Sequence, residues 1–381
     1  MNQKNQDDEM NNLDRMRVLS MLGDACVSMQ DEMKEEEGSM ATFEMPDLLW
    51  SFLSQNSTTT NNALPEYGMT ESTLLPSKTS STTWWLQVGV FCYVTAIFTA
   101  RRQRTPENAA ATAAARQQQH DLQNLASAKN DQGQHALKDN DTSSALDFFS
   151  SALNLFQQVS DIVNVGWIKL NLVQCLRVMV TGSDKREKKK KGLHVQGGET
   201  KLTTEISSLY ATSLELCNEI LTVGKESTER SAENGGDTTT TPMLHLMQSA
   251  EDVLARVSLD YAIALRFAVK DAGGVCTKET FHLVQRHFQK SVELGQRSRL
   301  LCGQAHYHQG LFAVENMAAN LSIQQRNAVC ELARRQLLKS LSFVKVCDGE
   351  DGEEGEKELF VKIQEALKMV KEVRTAASSR V

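Results

Sequence analysis

Two pairs of histidines and eight cysteines are the side chains of this sequence best suited to chemistry. His306 and His308 stand two residues apart, a spacing that sends them to different sides of a helix, and His282 and His287 stand five apart. No carboxylate or cysteine joins either pair at a metal-ligand spacing, so the pattern predicts surface or partly buried imidazoles and no metal. The cysteines (Cys26, Cys92, Cys175, Cys217, Cys276, Cys302, Cys330, Cys347) contain no Cys-x-x-Cys pair, and most fall on the apolar side of helical patterns. Small buried hydrophobes in a reducing compartment is the reading that follows. No Gly-x-Gly-x-x-Gly, phosphate loop, His-Glu-x-x-His or Gly-x-Ser-x-Gly occurs, and Gly349, Gly352 and Gly355 lie in an acidic stretch that would repel phosphate. The expectation is therefore a protein that is not an enzyme, with no catalytic residues, no cofactor and no small-molecule substrate.

Charge narrows the partners further. The formal net charge is -7, and the segment up to Thr83 alone carries 14 Asp and Glu against 5 Lys and Arg, which leaves the remainder near neutral. Without a basic face there is no electrostatic case for gripping a phosphate backbone, so nucleic acid is not an expected partner. The run Lys185 to Lys191 predicts a solvated insertion, with docking on an anionic membrane surface as the alternative.

The elements that would position these residues are helical. Prolines are few (five) and aromatics make up 6% of a chain rich in Ala, Leu, Gln, Glu and Lys, all of which favours helix over an all-β sandwich. Residues 1–83 form an acidic, then Ser- and Thr-rich leader that should be mostly disordered, with short helices around Leu13 to Met33 and Pro46 to Leu53. The uncharged stretch 84–100 predicts a transmembrane helix. Its 17 residues span about 25 Å, at the lower limit of a bilayer crossing. Trp84 and Trp85 at one edge, Phe91, Ile97 and Phe98 within, and Arg101 and Arg102 at the other edge match what the two interfaces favour. A buried core helix is the alternative. The arginines would place the C-terminal side in the cytosol, giving a single-pass membrane protein of the mitochondrial outer membrane or endoplasmic reticulum.

After a linker at 101–120, apolar periodicity divides 121–381 into about nine helices, with loops near 183–200, 226–241 and 348–355. Met247, Ala250, Leu254, Val257, Tyr261, Leu265 and Ala268 form one stripe, and Phe281, Val284, Phe288 and Val292 form another on a helix drawn from Lys278 to Leu301. Such stripes require neighbours. The chain is expected to be all-α, with four helix pairs and a terminal helix able to cap an exposed apolar edge.

Within Leu122 to Leu176 a family pattern emerges. Gly133, Ala136, Ala145, Phe149 and Ala152 occupy the small, small, small, large, small positions at which two antiparallel helices approach closely, and Asn171-Leu172-Val173-Gln174-Cys175-Leu176 follows as the opening helix of another repeat. This segment resembles a tetratricopeptide repeat, a class that stacks helix pairs into an α-solenoid. The repeat's usual Trp or Leu near its start and its closing Pro are missing here. The resemblance implies a concave groove lined by the first helix of each pair, and the positions that would face it are Asn130, Gln134, Lys138, Asn171, Gln174 and Arg177. The family's chaperone receptors use a Lys and an Asn in the first repeat and an Asn in the second to hold a carboxylate; here those positions carry Asn130, Gln134 and Asn171, so only the last agrees. The function implied is a membrane-anchored module that recruits a partner peptide or protein through the groove. A structural assembly or tethering factor of a membrane complex is the alternative.

Overall fold

A computed structural model describes residues 17–28, 84–102, 109–191, 204–233, 240–271, 276–316, 322–344 and 354–378. Most of the leader, residues 192–200 of the loop expected near 183–200, Cys347 and most of the acidic stretch 348–355 lie outside the described residues. The described residues are helical almost throughout. In chain order the helices are α1 (17–28), α2 (Trp84–Arg102), α3 (Ala109–Lys138), α4 (Thr142–Gln158), α5 (Ile162–Lys191), α6 (Thr204–Glu233), α7 (Thr240–Asp271), α8 (Lys278–Leu294), α9 (Arg299–Glu315), α10 (Ile323–Phe343) and α11 (Glu354–Ser378). The chain divides into two compact units, Met1–Cys175 and Leu176–Val381, with the boundary inside α5.

In the first unit α3, α4 and α5 are joined by two turns built alike. At the end of α3 the N–H of Asn140 donates to Leu137 O and that of Asp141 to Ala136 O; at the end of α4 the N–H of Ser160 donates to Gln157 O and that of Asp161 to Phe156 O. Asn140 and Ser160 hold the left-handed conformation this closure needs, with φ of 61° and 58°. Asp141 and Asp161 then accept from the N–H of Ser144 and Asn164 at 3.2 and 3.1 Å, so each caps the helix that follows. Between α3 and α4 the approach is close: a Cβ placed on Gly133 would stand 2.6 Å from Cε1 of Phe149. Ala145, Phe149 and Ala152 are fully buried around that contact.

In the second unit successive helices from α6 to α11 pack on one another, and α7 and α9 also pack on the next helix but one. Among α7 to α11, α7 touches α8 and α9, while α9 touches α8, α10 and α11. Leu259, Val284, Phe288, Leu301 and Phe312 fill the core under α7, α8 and α9, and Leu311, Leu337, Ile363 and Val370 fill the one under α9, α10 and α11. Caps mark the starts: Thr277, Ser298 and Ser322 each accept from a first-turn N–H, the last in a reciprocal pair with Gln325. The helix expected over Lys278 to Leu301 is two, because a turn of 3-10 helix at Gly295–Arg297 and the cap at Ser298 interrupt it.

The expected transmembrane helix is overturned. No helix of the described residues is long and apolar enough to cross a membrane. The stretch 84–100 belongs to α2, in which Trp85, Leu86 and every residue from Val88 to Ile97 are buried, Phe91 and Ile97 of the proposed anchor among them. Trp84, Phe98, Arg101 and Arg102 lie on the same helix. A helix apolar on nearly all sides suits a protein core as well as lipid, and here it is the core that encloses it. The residues that dilute its apolarity have protein partners: the Tyr93 hydroxyl donates to Asp24 Oδ1 at 2.7 Å and Thr95 to Phe91 O at 2.8 Å. Without that anchor, the single-pass membrane placement and the orientation drawn from Arg101 and Arg102 lose their basis. The fold is all-α without the spanning helix.

Two further boundaries differ. The linker expected at 101–120 is helical from Ala109, as its alanine content favours, and the Lys-rich run is the helical end of α5. In the leader, α1 is an ordered part of the first unit: its Gly23 lies so close to α2 that a Cβ there would meet the Tyr93 ring at 2.7 Å, and a Cβ on Gly89 would stand 3.2 Å from Gly23 O.

Candidate functional site

The tight turns at 139–141 and 159–161 join α3 to α4 and α4 to α5, and a side-chain hydrogen bond links α3 with α5 in the first unit. The contact between them is polar. Asn171 Nδ2 donates to Asn130 Oδ1 at 2.7 Å, joining two of the six expected groove residues, and both side chains are half-buried. The pairing leaves both Nδ2 protons of Asn130 as donors and, on Asn171, the Oδ1 acceptor with the second Nδ2 proton. Gln134, Lys138 and Gln174 are exposed one to two turns further along the same two helices, and Trp167, four residues before Asn171, is 37% exposed. On α5 the spacing of Trp167, Asn171 and Gln174 puts an aromatic, an amide and a second amide along one face. Arg177 departs from this set. It falls in the second unit and donates to Asp260 of α7 at 2.9 Å, while Arg256 approaches the other carboxylate oxygen at 3.3 Å.

Similar side-chain bridges recur within the second unit. Arg256 Nη1 donates to Gln304 of α9 at 3.2 Å. One turn from the end of α7, Arg266 makes a two-pronged pair with Glu315 at 2.6 and 2.7 Å and donates from Nη1 to His308 Nδ1. Since a guanidinium has only protons to give, His308 is the acceptor and carries its own proton on Nε2. Burial and the neighbouring Arg266 hold it neutral, down to about 3. His306 turns the other way, to Gln336 at 2.8 Å and onto the Phe343 ring, so the two histidines do face different neighbours. His287 packs edge-on to Tyr261, and burial lowers it to about 4. The described cysteines carry free thiols, and burial raises those of Cys26 and Cys217 to about 12, which makes them poor nucleophiles.

Lys129 escaped the sequence reading altogether. It lies four residues before Gly133 on α3, and only 2% of it is exposed. Its ammonium sits 5.1 Å from the centre of the Phe148 ring, and among the described residues no carboxylate pairs with it. Burial lowers it to about 8.

Comparison of the chain with protein-family models and with curated proteins finds no match. Along α3 and α5 the geometry offers an amide pair, an aromatic edge and further polar side chains for hydrogen bonding. Among the described residues no group of three His, Cys, Asp or Glu is placed to hold a metal ion.

The position of Lys129 yields a stability prediction. In the unfolded chain it would titrate near its ordinary value of 10.5, so between about 8 and that value the unfolded state holds the extra proton. The destabilisation is complete below pH 8 and is relieved as pH rises towards 10.5. Lys129→Met should therefore be more stable than the parent at pH 7, by about 2 kcal/mol after allowance for the lost ring contact. In urea titrations the advantage should shrink as the pH is raised to 10; a constant difference would assign it to packing instead.

Proposed function

We propose that the chain is a helical-repeat interaction module of the tetratricopeptide-like kind, which binds an extended peptide segment of a partner protein along the α3 and α5 face of its first unit. The observation that supports this most is the Asn171 to Asn130 contact, because it sets the first helices of two successive pairs next to each other with amide groups open to a ligand. A main-chain peptide unit presents one C=O and one N–H, the complements of a donor left on Asn130 and the acceptor left on Asn171. Trp167, on the same face, offers an apolar edge to a ligand side chain. The Gly133 and Phe149 packing and the twice-used turn fit a repeated helix pair, and so does the packing of α7 and α9 on their next-but-one neighbours. This reading carries no membrane anchor.

The test is selection of binders from a random peptide display library on the full-length protein, followed by affinity measurement with the selected peptides. Asn130→Ala with Asn171→Ala, and separately Trp167→Ala, should each weaken binding at least about tenfold while the melting temperature moves little, since these side chains are half-exposed. Peptides that bind all three proteins equally would place the site elsewhere, and a selection that yields no binder would count against a peptide-binding role.

A further inference from the structure

Three helices of the first unit, α1, α2 and α3, meet at a cluster of polar groups that the peptide-binding reading does not use. Asp121 of α3 is 0% exposed. Its Oδ1 accepts from Ser20 Oγ at 2.5 Å and from Gln117 Nε2 at 3.1 Å, and Gln117 also donates to Ser20 at 3.1 Å. Its Oδ2 is buried with no partner. One turn along α1, Asp24 Oδ1 accepts from Tyr93 of α2 at 2.7 Å and from Asn124 of α3 at 2.9 Å. Ser20 and Asp24 thus tie α1 to the helices beneath it by side-chain hydrogen bonds, across 101 and 69 residues of chain. Arg17 and Arg116, the nearest cations in sequence, are both exposed, and His120, 3.9 Å from Asp121 Oδ1, is more than half exposed.

We propose that α1 is a proton-operated latch: it is held on α2 and α3 more tightly when Asp121 carries a proton and more loosely when Asp121 is ionised. An ionised carboxyl with one bare buried oxygen and a second carboxylate, Asp24, nearby is a poor anchor. A neutral carboxyl still accepts from Ser20 and Gln117 and no longer repels Asp24. Burial raises the Asp121 carboxyl above the ordinary carboxylate range, with Asp24 adding to the rise; the bonds from Ser20 and Gln117 and the charge of His120 oppose it. With the docked value above the undocked one, the docked state binds the extra proton, so docking strengthens as pH falls through that interval. The face that α1 covers holds Gly89 and Tyr93 of α2, while Val18 and Met21 (70% exposed) point outward. Release would uncover apolar surface on α2 at neutral pH.

Hydrogen exchange read by mass spectrometry on the full chain, with rates corrected for the intrinsic effect of pH, tests this between pH 7.5 and 4.5. Protection of 17–28 relative to α4 is expected to rise about threefold or more as the pH falls. Asp121→Asn should give high protection that is independent of pH. Asp24→Asn should retain the rise, and His120→Gln should retain it at a somewhat higher pH. Flat or falling protection in the parent protein would overturn the proposal without recourse to any variant. Loss of the rise in Asp24→Asn or in His120→Gln would also overturn it, by placing the operative proton on that residue.

Discussion

Replacing Gly133 with alanine is expected to destabilise the first unit by about 2 kcal/mol, although the same change inside an exposed helix would stabilise it by about 1 kcal/mol. The sign reverses because the new methyl would stand 2.6 Å from Cε1 and 2.7 Å from Cδ1 of Phe149. Phe149 is itself fully buried, so its ring has nowhere to retreat. Valine, with two more methyls in the same place, should cost more than alanine. The control is the pair: in a Phe149→Leu background, where the ring is gone, Gly133→Ala should become neutral or stabilising. Denaturant midpoints of the four proteins decide the matter, and an alanine penalty that survives in the leucine background would trace the effect to something other than the approach of α3 to α4.

A loss of similar or greater size is expected in the second unit when Glu315 is replaced by leucine. Arg266 is 5% exposed, and Glu315 supplies both oxygens of its two-pronged partner. Removal leaves a buried guanidinium with His308 as its remaining acceptor, at a cost of about 3 to 5 kcal/mol. Arg266→Met combined with Glu315→Leu should recover most of that loss, because the charge needing a partner is then absent. Urea denaturation of the single and double variants measures the coupling directly. If the double variant were as unstable as the single one, the cost would lie in shape rather than in charge.

Much of the helical order was legible in the sequence. The stripe from Met247 to Ala268 lies on α7, and Asp141-Thr142-Ser143 marks the start of α4 because an aspartate cap followed by helix formers is a local signal. Local signals cannot show what lies on the other side of an apolar helix. The segment around Val88 to Ile97 reads the same whether lipid or protein surrounds it, and the partner that settles Tyr93, Asp24, is 69 residues away. The same limit hid the docking of α1, which falls within the short helix expected around Leu13 to Met33, because its polar ties run to residues about a hundred positions later. Of the expected groove residues, Asn130 and Asn171 bond to each other across 41 residues of chain, while Arg177 pairs with Asp260, and neither long-range partner is marked by a local signal. Lys129 was invisible for a different reason: a lysine in a polar-looking stretch gives no hint that its stem fills an interior position and its head rests on Phe148.

The two alike turns also decide where this chain can change length. Asp141 donates its own N–H to close α3 and accepts with its side chain to open α4, and Asp161 does both for α4 and α5. One residue thus serves as the last of one signal and the first of the next, with a single left-handed residue before it. An inserted residue would separate the two duties, and a deleted one would remove a partner from both. Insertions and deletions in the first unit are therefore expected to spare 139–141 and 159–161, and the helices those turns join can lengthen or shorten only as a register-preserving pair.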